Sequence, residues 1–371
     1  MEKETARKQK KIPQDRLLDG DNEATCALVL AGGEGRRLQP FIKSLGRGSL
    51  PKQYVNFIGT QSMLQHTWQR AQKLIPPARV FTVTTEAHLR HPEVREQFLE
   101  RDANTIIVQP ENRETGPGLL LPLLHLYKRY PNSVVLTLPS DHFVSEEDRL
   151  MRDAHLACVA VKEDPSKLVL LGVKPDREEP EYGYVLPRKK FGPNQAELSE
   201  ISLFVEKPDF KTARRLIQAG GLWNTMIMAF HIRTMLHWVD RFAPGLYRKF
   251  QPLGQMIGTR DEARLARDIY QRLQPVNFSK EVLEPLVKHC PSNLIVLRVR
   301  DVLWSDWGTG SRVMEVLRET GKIGRLNRFA NAVERKIRRP EPCQLDHPTL
   351  QPSFVPRNSY AAGGARIDGS K

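Results

Sequence analysis

Cysteine is scarce in this chain: Cys26, Cys158, Cys290 and Cys343 are the four in 371 residues, with no CxxC pair and no histidine at zinc-ligand spacing. That excludes a disulfide framework and a structural zinc site and leaves buried or idle thiols. Long apolar runs are missing as well. None approaches the roughly 18 residues a membrane span needs, and the amino terminus, MEKETARKQKKIPQDR, carries charge with no apolar stretch behind it. The expectation is a cytoplasmic protein with no membrane partner. No internal repeat of fixed period appears, which removes the solenoid and propeller classes.

What the chain has in excess is positive charge, a formal +14. Residues 1–16 hold six Lys or Arg against three acids and residues 322–339 hold seven against one, so most of the excess lies in terminal segments. Basic, poorly apolar ends are ordinarily solvated tails, and the charge pattern does not make nucleic acid the expected partner. The stretch from Arg339 to Lys371 is rich in Pro, Gly and Ser, lacks periodicity and reads as largely disordered. The organisation expected is a basic extension over 1–24, one globular domain over 25–325 and a tail over 326–371.

Between the tails, apolar runs of strand length alternate with helical patterns. ALVLA (27–31), VFTVT (80–84), TIIVQ (105–109), SVVLTL (133–138) and LVLLGV (168–173) read as strands. SMLQHTWQRAQKL, HPEVREQFLE, GLLLPLLHLYKRY and SEEDRLMRDAHLACVAVKED read as helices between them, the last with Ser145 and Asp148 at capping-box spacing. Regular alternation implies an α/β sheet covered on both faces. After about residue 175 the pattern changes: YGYVLP and LSEISLFVEKP read as longer strands, and Asp209 and Gly220-Gly221 bracket a short helix.

Ligands of open α/β sheets sit at the carboxyl ends of the strands. After the first strand come Ala31, Gly32, Gly33, Glu34, Gly35, Arg36 and Arg37. Glycines there let the backbone approach a ligand with N–H groups exposed, and Arg37 and Lys52 add charge suited to phosphate. The spacing matches neither GxGxxG, since Leu38 stands where the third glycine belongs, nor a P-loop, since no GK[ST] follows. Ser140, Asp141 and His142 are adjacent in sequence and cannot face one another as nucleophile, base and orienter.

LAGGEGRRLQP, PKQ, QPENRETGP, LPSDH, YGYV, FVEKPD, WN and WSDWG stand in the order and approximate spacing of the sugar-1-phosphate nucleotidylyltransferases, and the set most resembles the mannose-1-phosphate guanylyltransferases. The resemblance covers about residues 26–320. It implies a Rossmann-like α/β fold with a mixed central sheet flanked by helices, a nucleotide half to about residue 175 and a sugar-binding half after it. It implies GTP and mannose 1-phosphate as substrates, GDP-mannose and pyrophosphate as products, and Mg²⁺ as cofactor. Residue by residue, it gives nucleotide binding to Ala31, Gly32, Gly33, Gly35, Arg113, Thr115 and Ser140, and catalysis to Arg37, Lys52 and Lys207. Gly183, Glu206 and Asn224 match sugar-binding positions, and Asp141 and Asp306 match the metal-binding pair. Trp223 is expected to pack beneath the sugar site. Arg36, Glu114, Glu181 and Met226 depart from residues usual in the family. Some members carry a further carboxyl-terminal β-helix or isomerase domain, which nothing in this chain resembles.

The reaction accounts for the set: a phosphate oxygen of the sugar attacks the α-phosphorus of the NTP in line and pyrophosphate leaves. The protein has to align two polyanions and neutralise charge, which demands cations from several directions. Two aspartates remote in sequence suit a hard ion that takes few protein ligands. Another NTP and hexose 1-phosphate pair, a non-catalytic sugar-nucleotide-binding subunit and a basic nucleic-acid-binding protein are the competing readings. Retention of Arg37, Lys52, Asp141, Lys207 and Asp306 together speaks against the second, and charge confined to the tails against the third. The chain leaves open whether it forms a homo-oligomer.

Overall fold

The computed structural model describes residues 24–189, 198–324 and 326. The basic extension before residue 24 and the tail after residue 326 lie outside them.

Four apolar runs build a parallel block. β1 (Thr25–Leu30), β2 (Val80–Thr85), β3 (Ile106–Gln109) and β4 (Val134–Pro139) lie side by side in the order β3-β2-β1-β4. Every residue of β2 and β4 is buried, as strands covered on both faces require. Alternate side chains serve opposite cores: Ala27 and Val29 of β1 pack with Leu64, Trp68 and Leu150 on one face, while Cys26 and Leu28 pack with Leu119, Leu120, Leu123 and Phe250 on the other. Truncating one such residue, Leu28→Ala for instance, removes about 2–5 kcal/mol of stability. The α/β expectation and its flanking helices stand.

The second half is built differently. β6 (Leu168–Val173) and β10 (Leu294–Val299) pair in parallel, whereas β7 (Gly183–Pro187), β8 (Leu198–Glu206) and β9 (Leu222–His231) are antiparallel to their neighbours. β9 is wedged between β4 and β6 and joins the halves into one nine-stranded mixed sheet. The far end curls shut: β9 pairs with β6, β6 with β10, β10 with β8, β8 with β7, and β7 again with β9. A separate two-stranded ribbon joins β5 (Phe143–Val144) to β11 (Trp304–Ser305) and carries the chain back beneath the end of β4.

Two helix starts show what local pattern can and cannot specify. Asp209 caps the helix Phe210–Gln218, accepting from the Thr212 N–H at 2.6 Å, as its position predicts. Ser145 does not cap the helix Glu147–Glu163, which starts after Glu146 with no side-chain cap. Its hydroxyl instead accepts from the Leu303 N–H at 2.9 Å and its own N–H donates to the Leu303 carbonyl at 3.0 Å. Pairing with a segment 158 residues away took the group that a capping box would have used.

Cys26 and Cys158 are buried free thiols and Cys290 is half-buried. Among the described residues no helix is long and apolar enough to cross a membrane.

Candidate active site

The glycine-rich turn after β1 is held by its carbonyls. The Gln53 amide donates to the carbonyls of Ala31 and Gly33, both at 2.8 Å, and the Tyr54 hydroxyl lies 3.2 Å from the Ala31 carbonyl and 2.7 Å from Thr84 Oγ1. His88 Nδ1 meets the same Ala31 oxygen at 3.2 Å. With the oxygens engaged from behind, the N–H groups of Gly32, Gly33 and Gly35 donate to no protein acceptor among the described residues. A row of free amides is what an anion requires. Gly35 turns the chain at φ 58°, and a Cβ there would come within 2.9 Å of the Lys52 side chain. Gln109, buried at the end of β3, lies so close to Gly32 that a Cβ there would sit 2.3 Å from its amide nitrogen.

Lys52 is the centre of the arrangement. It is 4% exposed, and its ammonium lies 2.9 Å from Asp141 Oδ2 and donates to the backbone carbonyl of Asp306. One buried cation thus joins segments following β1, β4 and β11. Burial pushes the Asp141 carboxyl pKa up, but the charge and hydrogen bond of Lys52 outweigh it and hold the group below the ordinary carboxylate range. Arg37 Nη2 reaches Asp306 Oδ2 at 3.3 Å. The other oxygen of Asp306 accepts from the Tyr182 hydroxyl and from the Gly308 N–H, the latter at 2.9 Å. Burial, reinforced by the Asp306 charge, keeps the Tyr182 hydroxyl protonated far above its ordinary range, so it serves as a donor.

His142 flanks Asp141. The Trp304 indole donates to its Nδ1 at 3.3 Å, which leaves the ring proton on Nε2, 3.8 Å from Asp141 Oδ1. Burial lowers its pKa to about 4, so the ring is neutral at pH 7. Ser140 faces away: it is 1% exposed and its hydroxyl donates to the Leu30 carbonyl at 2.7 Å. Among Ser140, Asp141 and His142 there is accordingly no nucleophilic relay, as adjacency in sequence implies.

Gly183, Glu206 and Asn224 gather near the ends of β7, β8 and β9, where Gly183 stands opposite Glu206 and Asn224 opposite Gly172. Between Leu170 and Gly172 of β6 the register slips, and β9 bulges through Thr225–Ile227. Met226 takes φ 57° in that bulge, and its N–H donates to Asn224 Oδ1 at 3.1 Å. Burial pushes the Glu206 carboxyl pKa up; Lys207 and hydrogen bonds involving Ser279 and Asn277 oppose the rise, and Glu284 adds to it. Lys207 also sits at positive φ, 51°, and its N–H donates to the Tyr182 carbonyl at 3.2 Å. Trp223 is 2% exposed and meets Tyr182 edge to face at 4.9 Å, so it packs under the site as expected.

Arg113 and Thr115 lie in the loop after β3 and at the start of the helix Thr115–Arg129. Arg113 is paired to Glu111 at 2.7 Å, and Thr115 Oγ1 accepts from the Phe278 N–H at 2.9 Å, binding this loop to residues 276–278. Glu114 between them has φ 69°. Sequence reading gave no role to Gln53, Tyr182, His88 or Gln109. Gln53, Tyr182 and Gln109 stand inside the PKQ, YGYV and QPENRETGP motifs, which are the signal that marks them; nothing near His88 marks it.

For a metal, the described residues contain no group of three or more His, Cys, Asp or Glu that could hold an ion. Asp141 and Asp306 nevertheless fit Mg²⁺: both are hard oxygen donors, Lys52 ties the Asp141 carboxylate to the Asp306 main chain, and such an ion commonly takes only one or two protein carboxylates with phosphate oxygens and water completing its shell.

The nucleotidyl transferase family model matches residues 26–322. The xanthan biosynthesis protein XanB of Xanthomonas campestris pv. campestris (strain ATCC 33913) is 28% identical over 298 residues, 80% of this chain and 60% of its own. A mannose-1-phosphate guanylyltransferase of Escherichia coli is 28% identical over 294 residues, 78% of this chain and 61% of its own. The chain thus spans about 60% of the length of these curated relatives. Among solved structures, that of mannose-1-phosphate geranyltransferase from Thermus thermophilus aligns with a TM-score of 0.63 at 27% identity over 76% of each chain.

Proposed function

Because this chain belongs to the nucleotidyl transferase family, we propose that it transfers a nucleotidyl group from GTP to mannose 1-phosphate, giving GDP-mannose and pyrophosphate. The observation that carries the reading is the double contact of Lys52, whose buried ammonium meets both Asp141 and the Asp306 carbonyl beside the free amides of the glycine turn. A buried cation that ties one aspartate's carboxylate to the backbone of the other, with Arg37 on the second carboxylate, suits a reaction between polyanions. The choice of GTP and mannose 1-phosphate is supported by the motif set and by the names of the relatives.

In this reading the amides of Gly32, Gly33 and Gly35 bind the triphosphate, with Arg37 and Lys52 neutralising the charge that gathers on the leaving pyrophosphate. Lys207 approaches from the sugar half and neutralises the sugar phosphate. Glu206 and Asn224 accept and donate to sugar hydroxyls. Arg113 and Thr115 belong to the loop that meets the base. Ser140 contributes by holding the end of β4 against β1. Asp141 and Asp306 would hold Mg²⁺, which when bound supplies positive charge to phosphate oxygens. The attacking phosphate oxygen is already ionised at pH 7, so no general base is needed, consistent with a His142 kept neutral and hydrogen-bonded by Trp304.

Initial rates with four NTPs and several hexose 1-phosphates in Mg²⁺ test the proposal. The highest kcat/KM is expected for GTP with mannose 1-phosphate. A higher value for UTP or dTTP with glucose 1-phosphate would remove the guanylyl and mannosyl assignments, and no turnover with any pair would favour a non-catalytic sugar-nucleotide-binding subunit.

A further inference from the structure

Glu181 stands at the mouth of the site with one carboxylate oxygen turned to two cations. Its Oε2 is 3.6 Å from Arg37 Nη1 and 3.9 Å from Lys207 Nζ. Those two cations come from opposite halves of the sheet, and that single oxygen is the anion they share among the described residues. All three side chains are about half exposed, so the contact is loose and open to solvent. The residue is nevertheless tethered: the next one, Tyr182, is fixed by its hydroxyl to Asp306 and by its carbonyl to the Lys207 N–H.

We propose that Glu181 is a resident anion that occupies the phosphate position between Arg37 and Lys207 and competes with phosphate groups for both. The inference rests on the reading of those two cations as phosphate-binding groups. A phosphate that engages either one has to displace the Glu181 carboxylate or share the cation with it beside a like charge. Either route lowers the affinity for phosphate. It also keeps the two cations near each other when no ligand is bound, since without an anion between them they would repel. Glu181 is thus a residue that sets the strength of phosphate binding while making no bond to the reacting atoms.

Solvent-exposed ion pairs are weak, so removing the charge is expected to tighten phosphate binding by about two- to tenfold. The test is calorimetric titration of inorganic pyrophosphate, without added metal, into the full chain, its Glu181→Gln variant and a Glu179→Gln control, at low and high salt. Glu179 is a nearby acid for which no ion pair with Arg37 or Lys207 forms. Glu181→Gln is expected to bind more tightly, with a gain that shrinks at high salt, and Glu179→Gln to match the parent within about twofold. Unchanged or weaker binding in Glu181→Gln overturns the proposal, as does an equal gain in Glu179→Gln, which would mean a general charge effect. Turnover is scored separately: a KM for the sugar 1-phosphate that falls in parallel extends the same competition to the substrate. A pyrophosphate gain in a protein with no turnover would retire the enzymatic reading and leave the role of Glu181 standing.

Discussion

The two halves of the sheet position functional groups by opposite means. In the parallel half, the turn after β1 is shaped by side chains that reach in from behind: Gln53, Tyr54 and His88 converge on Ala31 and Gly33, and Ser140 ties β4 to Leu30. In the antiparallel half the backbone itself is bent into place. Lys207 and Met226, which follow or lie within β8 and β9, take positive φ; in the parallel half Glu114, in the loop after β3, does so too. Left-handed backbone costs an ordinary residue of order 1–2 kcal/mol and persists only where the surroundings impose it. The turn of the parallel half is thus shaped by side chains that reach it from other segments, and the bulge of the antiparallel half by strand pairing together with local side-chain bonds, Thr137 Oγ1 donating to the Met226 carbonyl at 2.9 Å and Asn224 Oδ1 accepting from its N–H.

The largest effect is expected where the halves meet. Asp141→Asn and Asp306→Asn should each lower kcat about 100-fold or more, because an amide keeps size and one oxygen but loses the charge that serves the phosphates. Initial rates at rising Mg²⁺ check this, and near-normal rates at saturation would take that aspartate out of the site. Thermal melts should separate the pair. Asp141→Asn leaves the buried Lys52 ammonium without its carboxylate and should lower Tm more than Asp306→Asn does.

Next in size is Gln53→Ala, which strips two hydrogen bonds from the glycine turn and leaves the Gly33 carbonyl without its donor, while the Ala31 carbonyl keeps Tyr54 and His88. A loss of about 1–3 kcal/mol in urea unfolding is expected. A change below about 0.5 kcal/mol would mean that the turn holds its own shape. His88 gives a smaller effect confined to acid. Burial lowers its pKa from 6.5 to about 4 in the folded protein, so between those values the unfolded chain binds the extra proton. Stability should then fall as pH drops from about 6.5 towards 4, and His88→Gln should flatten that slope in melts taken at pH 7 and pH 5. The smallest effect belongs to the antiparallel half: Met226→Gly relieves the left-handed strain but gives up the packing and chain stiffness of methionine, and the terms oppose. A Tm within a few degrees of the parent is expected. A large loss would show that the methionine side chain itself holds the β9 bulge.

Legibility in the sequence follows the same division. β1, β4 and β6 are largely apolar runs and β2 a β-branched one because both faces are covered, and their ends could be read to within two residues. β9 was missed: LWNTMIMAFH mixes Asn224 and Thr225 with apolar residues, and its wedge between β4 and β6 removes any alternation. The closure of β7 onto β9 depends on partners about 40 residues apart, which no local pattern encodes. At the site, Arg37, Lys52, Asp141 and Asp306 were marked by motifs, and the structure draws them together. Tyr182, which fixes Asp306, was not singled out because its role exists only after a segment 124 residues later returns. Ser145 fails for the same reason in reverse, since its distant partner overrode a sound local signal.

The place of β10 bears on how this chain must be made. It is the last strand to enter the large sheet, and it enters between β6 and β8 rather than at the rim. Until residue 299 has left the ribosome, β6 and β8 each present an unpaired edge, the kind of surface that templates pairing with another chain. At about 5–20 residues per second, synthesis of the 93 positions between the end of β8 and the end of β10 takes several seconds or more, and both edges stay open for that time. A nascent chain stalled short of Leu294 would thus be a candidate for aggregation or chaperone capture, however well its parallel half had already folded.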